Sequence, residues 1–102
     1  MSENPKIIEA VAGWARKAEG DLLTAEHTMQ LGERCPRFAV CFHCQQCVEK
    51  YLKGFLTFLG ISAPKTHNLN ALFDLIPKSA GLDLPITEIP EPREKDIEAI
   101  RR

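Results

Sequence analysis

Two stretches of this chain hold polar side chains at spacings that suit chemistry. The first is Lys65-Thr66-His67-Asn68, where an imidazole lies among a lysine and two residues able to cap a helix. A helix opening here would offer free backbone N–H groups and a partial positive charge beside Lys65 and His67, which suits an anion such as a phosphate. Thr66 or Asn68 would accept hydrogen bonds from those N–H groups. Capping alone also accounts for Thr66, and a hydrogen bond to a neighbouring helix would account for His67.

The second stretch is Gln45, Glu49 and Lys53, each four residues from the last. On a helix Gln45 and Glu49 fall near the edge of an apolar face, where an unsatisfied polar group costs about 1–3 kcal/mol. Glu49 with Lys53 is the simplest partnership, an i, i+4 ion pair. The strip serves either a ligand or dimer partner, or hydrogen bonds that fix the register between helices. Asp21 lies at the margin of the preceding helix's apolar face and is expected to pair with a lysine of this one.

Cys41, Cys44 and Cys47 make two overlapping C-x-x-C matches around His43, with Cys35 nearby. A zinc site is the sharper reading. However, Cys41 and Cys47 point about 120° apart on a helix, and no second group of ligands exists elsewhere in the sequence. The expectation is therefore small apolar packing residues, with neither metal nor disulfides. No glycine-rich phosphate loop, Gly-x-Ser-x-Gly or His-Glu-x-x-His signature occurs. Trp14 and Tyr51 fall on apolar helical faces and are expected in the core.

The elements that must position these residues follow from apolar periodicity. Ile7, Val11, Trp14, Ala18, Leu22, Ala25 and Met29 draw one face of a helix from Pro5 to about Leu31, with Asn4 as cap and Gly32 at its end. A second helix runs from about Pro36 to Leu59. Phe38, Cys41, Phe42, Val48, Leu52, Phe55, Leu56 and Leu59 form its broad apolar face, with His43, Gln46, Lys50, Lys53 and Thr57 opposite. Gly60 ends it. A short third helix spans Thr66 or Asn68 to Ile76, stopped by Pro77. After a Pro-rich connection from Lys78 to Pro92, Ile97 and Ile100 begin a fourth.

At 102 residues the chain supports one domain with one modest core. A formal net charge of −1 argues against a strongly basic nucleic-acid-binding domain, though not against a local basic patch. No run approaches the roughly 18 apolar residues of a membrane span. The N-terminus lacks the basic start and apolar stretch of a secretion signal, so a cytoplasmic location is expected.

The run from Cys41 to Leu56, Cys-Phe-His-Cys-Gln-Gln-Cys-Val-Glu-Lys-Tyr-Leu-Lys-Gly-Phe-Leu, followed by Lys65-Thr-His-Asn-Leu69, resembles the HEPN family. These are small helical domains of prokaryotic nucleotide-associated and toxin–antitoxin proteins. The resemblance covers about Trp14 to Leu75 and is most specific between Cys41 and Leu69. It implies an all-α, up-and-down bundle of about four helices, two of them long and antiparallel. It also implies a longer fourth helix, so the chain is expected to be a truncated form of a longer domain.

What the resemblance implies for function is a non-catalytic module for a nucleotide or other phosphate-bearing ligand. It would form a homodimer and act beside a minimal nucleotidyltransferase partner, without a cofactor. Gln45, Glu49, Lys53, Thr66 and His67 match the family's polar positions, and together with Lys65 they are the expected ligand-binding residues. Two alternatives are an RNA-cleaving toxin and a purely structural dimerisation module. Ribonuclease members carry an Arg followed closely by a His, late in the domain. Arg37 and His43 fit that spacing, but they sit early, and about 240° of helical rotation separates them. The match is read as accidental.

Overall fold

A computed structural model describes residues 4–77, which form three helices and no strand. Helix α1 (Pro5–Met29) starts where the Asn-Pro pair predicts. The Asn4 side chain accepts from the Lys6 N–H at 2.9 Å, and Pro5 needs no partner in the first turn. A single 3₁₀ turn, Gly32–Arg34, leads to α2 (Arg37–Phe58), with Pro36 just outside the helix as its N-cap. None of these helices is long and apolar enough to cross a membrane. The predicted connection 78–92 and fourth helix lie outside the described residues.

Helix α2 closes on Gly60, whose φ of 80° is open to glycine at little steric cost. The Gly60 N–H donates to the Thr57 carbonyl (3.0 Å) and the Ile61 N–H to that of Leu56 (2.8 Å), satisfying two of the orphan carbonyls. The turn also places Ile61 against the core. Helix α3 (Leu69–Asp74) is shorter than expected at both ends, and its cap is Asn68. The Asn68 Oδ1 accepts from the Ala71 N–H at 3.1 Å. Thr66 instead accepts from the Asn68 N–H, bracing the loop before the helix.

Helices α1 and α2 are antiparallel: Asp21 meets His43 and Lys50, while Trp14, two turns earlier, meets Lys53 and Gly54. Their seam is built from small side chains, with Ala18, Ala25 and Cys47 all buried. At Gly54 the backbones come close enough that a Cβ would sit 3.1 Å from the Trp14 Cβ. A separate apolar core joins the second half of α2 to α3 through Leu52, Leu56, Leu69 and Leu72. Each such leucine contributes about 1.5–3 kcal/mol on burial.

This packing corrects the expected faces of α2. Phe38, Cys41, Phe42 and Val48, predicted to be covered, are exposed, as is Tyr51. Lys53, predicted to face solvent, is buried. The seam with α1 runs along the side bearing His43, Cys47, Lys50 and Gly54, because close approach favours small residues and paired charges over bulk. On α1, Ala18 and Ala25 of the predicted stripe are buried, but Leu22 and Met29 remain exposed.

Candidate functional site

The structure brings together three of the six expected site residues. Glu49 projects from α2 with its side chain only 3 % exposed. Lys53, one turn later, places Nζ 3.2 Å from Glu49 Oε2 and is itself 8 % exposed. From the loop before α3, His67 brings Nδ1 within 3.0 Å of Glu49 Oε1 and 3.2 Å of Oε2. A carboxylate beside an ammonium can only accept, so Nδ1 carries the hydrogen. The His67 side chain is 82 % exposed, which leaves Nε2 to solvent. A buried acid thus holds a surface imidazole in one orientation.

Helix α1 completes the arrangement from behind. Trp14 places its ring 5.6 Å from Lys53 Nζ, and Lys17 approaches the same ring at 5.0 Å. The ring face favours both cations. Lys53 therefore has two electronegative partners in place of the water it lost, which is what a buried ammonium requires.

The remaining expected residues are less engaged. Gln45, one turn before Glu49, is half-buried and has no side-chain hydrogen bond among the described residues. Lys65 is exposed, and Thr66 holds the loop backbone rather than capping α3.

A second carboxylate–imidazole pair lies along the α1–α2 seam. Asp21 Oδ1 is 3.0 Å from His43 Nδ1, and Oδ2 pairs with Lys50. Burial pushes the Asp21 carboxyl upward in pKa, but hydrogen bonds from Lys50 and His43 together outweigh it and hold the group below its ordinary value. Burial, then the Asp21 charge, pushes the nearby Cys47 thiol up. The expected pairing of Asp21 with an α2 lysine is met by Lys50. Sequence reasoning did not join His43 to it, although His43 and Lys50 share a face two turns apart. The ring of His43 meets Phe42 edge-on, with centroids 5.5 Å apart.

Chemically, both pairs fix a tautomer and leave Nε2 free, but His43 is 30 % exposed against 82 % for His67. Among the described residues, no three His, Cys, Asp or Glu side chains are grouped to hold a metal ion. Comparison with known families gives one match, the HEPN domain, over residues 11–101. Comparison with curated proteins and with solved structures finds no match.

Proposed function

The chain belongs to the HEPN domain family, and on that premise we propose that it is a binding module for a nucleotide or related phosphate-bearing ligand. It works beside a nucleotidyltransferase partner in the cytoplasm and does not catalyse turnover of the ligand. The observation that carries this reading is His67, an exposed imidazole anchored through Nδ1 to a buried carboxylate. Its Nε2 donates to a phosphate oxygen when the ring is protonated, and Lys65 adds charge nearby. Lys53 serves the ligand through Glu49 rather than by touching it, and Gln45 extends the polar strip by one turn.

Titration with ATP, followed through the fluorescence of the chain's one tryptophan, tests this. His67→Ala is a clean variant because the side chain is exposed. Loss of one charge-assisted hydrogen bond weakens binding by about tenfold or more. Unchanged affinity in His67→Ala would overturn the assignment.

The exposed apolar residues of α2, notably Val48, Tyr51 and Phe58, support pairing with a second copy. Light scattering on the protein and on Tyr51→Glu tests that pairing, and an unaltered mass in the variant would count against it. The RNA-cleaving alternative has one observation in its favour, since Asp21 orients His43 much as Glu49 orients His67. An RNA-cleavage assay on the wild type, His43→Ala and His67→Ala separates the two readings. Activity lost with either histidine would make the protein a nuclease.

A further inference from the structure

The three histidines of this chain divide two properties among them. His27, in the last turn of α1, is exposed and has no side-chain partner among the described residues. His43 is held by a carboxylate but largely covered by its surroundings. Only His67 has both, a carboxylate on Nδ1 and an imidazole open to solvent.

We propose that His67 is a phosphoryl-acceptor site, taking a phosphoryl group on Nε2 from a donor such as a nucleoside triphosphate. With Nδ1–H engaged by Glu49, the lone pair of the neutral ring resides on Nε2, the atom facing solvent. That lone pair forms the new N–P bond while the bond from phosphorus to the leaving group breaks, and the leaving group departs with its electron pair. The ring gains positive charge, which Glu49 neutralises through the hydrogen bond already in place. No proton has to leave, because Nδ1–H stays where it is. An adjacent carboxylate thus lowers the barrier by stabilising charge that develops only as the bond forms.

The loop geometry supports the same assignment. Thr66 and Asn68 flank His67 and are tied to each other and to α3, so the ring sits on a fixed stem. Resting affinity for a nucleotide is not required, which separates this inference from the binding reading.

The test uses phosphoramidate, a small phosphoryl donor, on the intact protein at neutral pH. Modified residues are mapped by mass spectrometry, and the phosphorylated nitrogen is identified by ³¹P NMR. His67 is expected to react at Nε2 about tenfold faster than His27, the effect of one hydrogen bond to a developing cation, with His43 slowest. Glu49→Gln should bring His67 down to the rate of His27. Equal rates at His67 and His27, or modification of His67 at Nδ1, would overturn the proposal. That comparison is made within the wild-type protein, so it stands even if Glu49→Gln fails to fold. A flat ATP titration with fast His67 modification would refute resting binding alone, and the converse would refute the acceptor site alone.

Discussion

Gly54→Ala probes the closest approach of α1 and α2. The added Cβ would lie 3.1 Å from the Trp14 Cβ, and 3.8 Å from both the Trp14 Cγ and the Val11 carbonyl oxygen. A Cβ is rooted in the backbone and cannot swing aside, so α1 itself must shift by a few tenths of an ångström. Overpacking of this kind costs about 1–3 kcal/mol. Against it, alanine in a helix interior gains about 1 kcal/mol over glycine. The net expectation is a loss of about 1 kcal/mol, or roughly 4–8 °C in Tm for a domain of this size. Gly20→Ala is the matched control, because nothing lies within 4 Å of its Cβ and only the helix gain applies. Urea and thermal unfolding followed by circular dichroism should place the two variants about 2 kcal/mol apart, on opposite sides of the wild type. If Gly54→Ala were as stabilising as Gly20→Ala, the close seam would be refuted.

Three further measurements bear on the buried charges and thiols. Lys53→Met leaves Glu49 buried without its ammonium and should cost about 3–5 kcal/mol, most of it recovered by adding Glu49→Gln; urea unfolding of the single and double variants measures both. The Asp21 carboxyl lies below its ordinary value of 3.8, so its contribution is fully present above that pH and lost as acidification passes through the lower folded value. Acid titration of stability should show this loss in the wild type, and Asp21→Asn should flatten it. Cys41 and Cys44 are exposed and should react with a thiol reagent in the folded protein. Cys47, buried and with its thiolate disfavoured, should react only on unfolding, and a thiol count before and after denaturant checks this.

Several helix ends were legible because backbone needs dictate them, although α3 stops at Asp74, short of the expected Ile76. Asn4-Pro5 opens α1, Gly60 alone suits the turn after α2, and Asn68 caps α3, all through local contacts. The face by which α2 packs was not legible. Periodicity treats an apolar side chain as inward and a lysine as outward, yet Val48 and Tyr51 are exposed and Lys53 is buried. What the rule omits is that Glu49 and Trp14 together replace the solvation of Lys53, and that Ala18 and Gly54 let the backbones close in. At the site, Glu49, Lys53 and His67 stood out as residue types at suggestive spacings. Their meeting did not, because Glu49 and His67 are joined across a helix end and a loop whose path no spacing rule supplies. His43 was set aside for the angle it makes with Arg37, although its partner lay on α1.

A seam of alanines and a glycine is smooth, and two smooth cylinders can slide along one another at little cost. The ion pairs between Asp21 and α2 act as a detent on that motion. Sliding by one helical turn, about 5.4 Å, would carry Asp21 away from either Lys50 or His43, according to direction, and take Lys53 off the Trp14 ring. Each slipped state then costs Asp21 one of its two part-buried partners, so polar contacts worth little as glue become decisive in choosing one alignment among several of similar packing. His67 inherits that choice, because its anchor Glu49 travels with α2.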